Sequence, residues 1–99
     1  MYNSEEKEAY LNSLKGDMTK HVYRGFFEKT KQYESEKGLD LYEFDIPELK
    51  NLILSIKPKN DKQAKVYASI INGYINYTLD VKVNMFKDVG SEFYNQFNK

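Results

Sequence analysis

Cysteine and tryptophan are absent from this chain, and histidine occurs once. Without cysteine there is no disulfide framework, no thiolate zinc site and no cysteine nucleophile, a usage that fits a cytoplasmic protein. His21 has neither a cysteine nor a second histidine to share a metal with, and no Ser/His/Asp set can be assembled around it. No metal, cofactor or catalytic residue is therefore expected. The five glycines are scattered, so no glycine-rich phosphate loop is present. Two prolines and five glycines in 99 residues also argue against a disordered or loop-dominated chain. No apolar run is long enough to span a bilayer, and the opening "MYNSEEKEAY" is too acidic for a signal peptide.

What is present suits one small soluble domain. Forty per cent of the residues are hydrophobic, and nine Tyr with six Phe can fill a single core. The formal net charge is zero, but it is divided unevenly. Residues 1–48 hold seven Lys/Arg against eleven Asp/Glu, whereas residues 49–99 hold eight Lys against four Asp/Glu. Such a division can steer a polyanion to one side of a domain.

Helical periodicity recurs along the chain and no alternating strand pattern competes with it. Ser4, followed by Glu5 and Glu6, reads as the capped start of a first helix that runs to about Leu14 and stops near Gly16. Asp17 or Thr19 opens a longer second helix with Val22, Phe26, Thr30 and Tyr33 as its apolar stripe, and Gly38 ends it. In "GLDLYEF", Leu41 and Phe44 should pin a connector to the core. Asp45, Pro47 and Glu48 start a third helix that turns Ile46, Leu49, Leu52, Ile53 and Ile56 inward until Pro58 stops it. Asn60 or Asp61 caps a fourth helix that reaches about Leu79. "DVKVNMFKDVG" fits a turn as well as a helix, and "SEFYNQF" suits a short last one. The expected fold is all-α: four main helices plus a short C-terminal helix. Phe26, Leu49, Ile53, Ile56, Ile70, Ile71 and Tyr74 are its expected buried residues.

The candidate site lies in "KPKNDKQAKVYASIINGYINY". Projected at helical spacing, Tyr67, Ile70, Ile71, Tyr74, Ile75 and Thr78 share one face, with Lys62, Lys65, Ser69, Asn72 and Asn76 opposite. The polar stripe itself contains no acid. Lys57, Lys59 and Asn60 precede it, where backbone N–H groups at a helix start also favour an anion. Lysines reach phosphates, and Ser or Asn can donate to phosphate oxygens or read base edges. On the second helix Lys20, Arg24 and Lys31 fall in one narrow sector and form a fainter basic line. An amphipathic surface helix with a solvated face remains open as a reading of both stripes. Paired carboxylates such as Glu5/Glu6 and Glu34/Glu36 read as solvated charges, and Lys7 and Lys15 serve as a control pair away from the candidate contact.

"YRGFFEKTKQYESEKGLDLYEFDIPELKNLIL", a polar break and "KQAKVYASIINGYINYTLD" together resemble the N-terminal core-binding domain of phage-type integrases, the tyrosine recombinases. Gly38 to Phe44, Pro47 to Leu54 and Tyr74 to Tyr77 follow that family's pattern in order and spacing, and "FKDVGSEFYNQF" resembles the segment after its bundle. The resemblance covers about Thr19 to Phe97. It implies a SAM-like bundle over residues 1–99, with 1–16 a lead-in and 80–99 leading toward a catalytic domain that this chain lacks. It implies half of a clamp on the double-stranded core of an attachment site, used in DNA integration and excision by a prophage. The implied partners are duplex DNA and a C-terminal catalytic domain of the same polypeptide, with the isolated domain a monomer. A small helical protein–protein interaction module is the alternative.

Overall fold

Cap chemistry sets the helix boundaries in the computed structural model, which describes residues 1–98. Helix α1 spans Ser4–Ser13, with Glu5 and Glu6 over its positive end. Its cap is Asn3 rather than Ser4. Asn3 adopts a left-handed φ of 50° and sends its side-chain amide to Asp40 at 2.7 Å instead of back to the helix. Helix α2 spans Asp17–Lys37 and ends on Gly38, whose φ of 68° is open to glycine at little cost. A 3₁₀ turn follows at Leu41–Glu43, where the Glu43 carboxylate accepts the Asp40 N–H at 2.7 Å and the Asp40 carbonyl accepts the Glu43 N–H at 2.9 Å. Helix α3 covers Ile46–Ser55, with Asp45 accepting from the Glu48 N–H at 3.0 Å and Pro47 in the first turn. Helix α4 covers Asp61–Leu79, with Asn60 accepting from the Gln63 N–H at 2.9 Å. Residues 81–90 form no helix, and α5 covers Ser91–Asn95. No strand occurs among the described residues. The fold is all-α, four main helices and a short fifth, as the periodicity predicts.

Helix α4 is the axis of the core. It buries Ala64, Tyr67, Ala68, Ile70, Ile71, Tyr74 and Ile75, and receives Leu49, Leu52 and Ile53 from α3. Phe26 and Phe27 of α2, Leu41 and Phe44 of the connector, and Tyr10 and Leu11 of α1 close round it. Tyr10, Phe27 and Tyr74 meet edge to face or tilted, at centroid distances of 5.4–6.2 Å. Losing a buried Ile such as Ile71 from this packing costs on the order of 2–5 kcal/mol. Two expectations shift. Ile56 is half-buried rather than buried, because α3 ends there and the chain turns away. Val22 is exposed, because the buried face of α2 is centred on Phe26, Phe27, Thr30 and Glu34.

Glu34 is a correction of a larger kind, and so is Lys7 as a control. Both side chains are fully buried, not solvated. The Lys7 ammonium donates to Glu34 at 2.9 Å, to Asp40 at 3.1 Å and to the Tyr2 carbonyl at 2.8 Å. Asp40 Oδ2 also accepts from Tyr74 at 3.1 Å, while its Oδ1 is buried with no partner among the described residues. Glu34 Oε2 further accepts the Leu41 N–H at 3.2 Å. One ammonium thus ties α1, α2 and the connector together beneath α4. Burying it unpaired would be prohibitive, so both carboxyls had to come inside with it.

Candidate nucleic-acid interface

The basic turn before α4 is built by reciprocal capping. Asn60 Oδ1 accepts the Gln63 N–H, and Gln63 Oε1 accepts the Lys59 N–H at 2.7 Å. This holds the backbone so that Lys57, Lys59 and Lys62 all project into solvent. Lys57 keeps a left-handed φ of 52°, uncommon for a residue with a Cβ. Among the described residues none of these three lysines has a carboxylate within salt-bridge distance. Lys65 does: Asp61, one turn earlier, stands 3.8 Å from it. At that distance and with the Lys65 ammonium in water, the pair holds the lysine only weakly.

Beyond this turn the outward face of α4 divides into three. Its N-terminal half leaves Lys62, Lys65, Val66 and Ser69 exposed. One flank is taken by the chain after α4. Asn72 Oδ1 accepts the Met85 N–H at 2.8 Å, and the Asn76 amide brackets Val83 with bonds of 3.0 and 3.2 Å. Lys65 lies 5.8 Å from the Tyr94 ring centroid, and Lys65, Ser69 and Asn72 border a polar cavity of about 430 Å³ beneath that segment. Further along, α1 covers the helix, where Gly73 meets the Tyr10 hydroxyl. Asn72 thus keeps only part of its amide for a ligand.

The other flank of α4 faces α2 across an open groove of about 500 Å³, bordered by His21, Val22 and Lys29 on one side and Lys62 and Val66 on the other. Lys29 reaches across the groove to the Tyr67 hydroxyl at 2.9 Å. The basic line anticipated on α2 has a different neighbour. The Arg24 guanidinium forms a two-pronged pair with Glu8 of α1, and that hydrogen bond holds the Glu8 carboxyl below its ordinary range. Lys20 and Lys31 share Arg24's sector, at the α1 edge. The structure therefore gathers Lys57, Lys59, Asn60, Lys62, Lys65 and Ser69 at one end of α4. The α2 groups it brings beside them are His21 and Lys29, which the sequence reading passed over. Lys29 stands next to Glu28 in the sequence, yet Glu28 pairs with the amino group of Met1 at 3.0 Å.

The arrangement can offer N–H and O–H donors to an extended anion from two helices at once. Residues 1–80 match the family model described as "MrpR, N-terminal core-binding domain". The chain belongs to that family. It is a core-binding domain of the phage-integrase type, in keeping with the resemblance of the connector and of helices α3 and α4. The match takes in all of α1, which the resemblance left outside, and stops before residues 81–99. Comparison with curated proteins and with solved structures returned no match. For a core-binding domain the coarse assignment is DNA binding. No helix among the described residues is long and apolar enough to cross a membrane.

Proposed function

We propose that this core-binding domain holds duplex DNA through the N-terminal half of α4, as one half of a clamp. Lys57, Lys59, Lys62 and Lys65 engage phosphates, while Asn60, Ser69 and the free part of the Asn72 amide continue the line. Lys20 and Lys31 form an outlying contact, and Arg24 joins it only by leaving Glu8. The other half of the clamp is a catalytic domain of the same polypeptide, and strand exchange for integration or excision belongs to that domain. The observation that carries the reading is the cluster of four exposed lysines, only one with a carboxylate partner among the described residues, at and just before the positive end of a helix. The isolated domain is read as a monomer with affinity in the non-specific range of roughly 10⁻⁴–10⁻⁶ M.

The test is titration of duplex DNA at several salt concentrations. Each lysine that touches a phosphate lowers the slope of log K against log salt by about 0.9 when it is removed. The variant Lys62→Ala/Lys65→Ala is compared with Lys15→Ala/Lys82→Ala, an exposed pair outside the cluster. A shallower slope for the first pair alone supports the reading, and equal slopes for both overturn it. Exposed Tyr77, Leu79, Val81 and Val83 favour a second reading, a protein contact near the end of α4. Binding of that kind would change little with salt.

A further inference from the structure

The α2–α4 groove is basic at its rims but apolar where it is most open. Val22 of α2 and Val66 of α4 are each 46 % exposed, and both border it. Single exposed apolar residues are ordinary. Two β-branched ones, from different helices, facing one groove between His21, Lys29 and Lys62 are a built surface. Phe26 and Tyr67 are buried beneath them and fix its floor. At Gly25, on the α2 side, an added Cβ would meet nothing within 4 Å, so the way in is clear. None of the residues that border the groove is acidic.

We infer that Val22 and Val66 contact thymine methyl groups, so that the domain favours A·T-containing duplex at this point. The inference rests on the DNA reading above. On a duplex held by Lys29 and Lys62 through phosphates, an apolar side chain has one apolar partner in the major groove, the C5-methyl of thymine. Gln63 also borders the groove and could read adenine, but its carboxamide oxygen is already engaged by the Lys59 N–H. The methyl contact is what the groove has left to offer. The basic rim favours nucleic acid over a neutral peptide, and the rigidity of valine keeps the entropic cost of the contact low.

The experiment titrates the domain with a short alternating A·T duplex and with the same duplex carrying deoxyuridine in place of thymidine, at one salt concentration. The expected result is weaker binding to the uridine duplex, by about fourfold for each methyl group covered. Val22→Ala/Val66→Ala should lose that discrimination and keep the parent's salt slope. Both side chains are exposed, so the variant keeps its fold, and its melting curve verifies this. Equal affinity of the parent for both duplexes, with salt-dependent binding intact, overturns the methyl contact and leaves the DNA reading standing. So does discrimination that survives in the double variant. Failure to bind either duplex overturns both.

Discussion

Two glycines in the middle of helices illustrate how differently the same residue is used. Glycine costs a helix interior about 1 kcal/mol relative to alanine, so each position invites substitution. At Gly25 an added Cβ meets nothing within 4 Å, and Gly25→Ala should stabilise the domain by about 0.5–1 kcal/mol. At Gly73 the same Cβ would stand 2.6 Å from the Tyr10 hydroxyl. That ring cannot swing aside, since Tyr23, Phe27, Tyr74 and Tyr77 surround it at centroid distances of 5.4–6.3 Å. Gly73→Ala should therefore destabilise by about 1–3 kcal/mol despite its better helix propensity. Urea unfolding of the two variants decides it, and shifts in the same direction would refute the account. The sequence displays both glycines and neither neighbour. What distinguishes them is a contact between residues 10 and 73, which no local pattern encodes.

Helix boundaries were legible because caps are local chemistry: Asp45, Asn60, Gly38 and Pro47 each act within four residues of themselves. How α1 docks was not legible. Lys7 and Glu34 are 27 positions apart, and charged residues add nothing to an apolar period, so nothing local marks either as buried. The stripe on α4 was found, but amides serve a backbone as readily as a phosphate, and Asn72 and Asn76 hold the following chain. The α1 anchor carries a pH dependence. Its cluster holds one ammonium against two carboxyls, and burial pushes the Glu34 carboxyl above its ordinary range, opposed by the hydrogen bonds from Thr30 and Lys7. Thr30 has one hydroxyl hydrogen for two oxygens, the Phe27 carbonyl at 3.1 Å and Glu34 Oε1 at 2.6 Å. A proton on Glu34 resolves both shortages, because Glu34 then donates to Thr30 and Thr30 to Phe27. A carboxyl whose folded pKa lies above its unfolded value holds more protons when folded. Its contribution is complete below the ordinary glutamate range and is lost as pH rises through the folded value. Glu34→Gln should therefore gain on the parent as pH rises, measured as the difference in urea stability at each pH. A difference that does not change with pH would refute this.

At the scale of the whole molecule the acidic half and the basic half of the sequence do different work. The first supplies the carboxyls that anchor α1 and pair with Arg24, and the second supplies the lysine turn. On the proposed reading, that division positions a duplex without acting on it. Attack by a tyrosine on a phosphodiester needs the phenol proton removed and donors set around the developing negative charge. The environments of five of the nine tyrosines oppose the first requirement. Burial, then the neighbouring Tyr23, pushes Tyr10 up to about 12, and burial, then the bond to Glu48, does the same for Tyr33. Burial raises Tyr74, reinforced by Asp40, as well as Tyr42 and Tyr94. The second requirement is no better met, since the one arginine of the chain is held by Glu8 and the one histidine lies beside Lys29 and Lys62. The protein, incubated with nicked or supercoiled duplex containing an attachment-type core, should leave the DNA uncut and uncoupled. Denaturing electrophoresis of labelled DNA is the readout. A band retarded by covalently attached protein, and lost on mutation of one tyrosine to phenylalanine, would overturn this expectation.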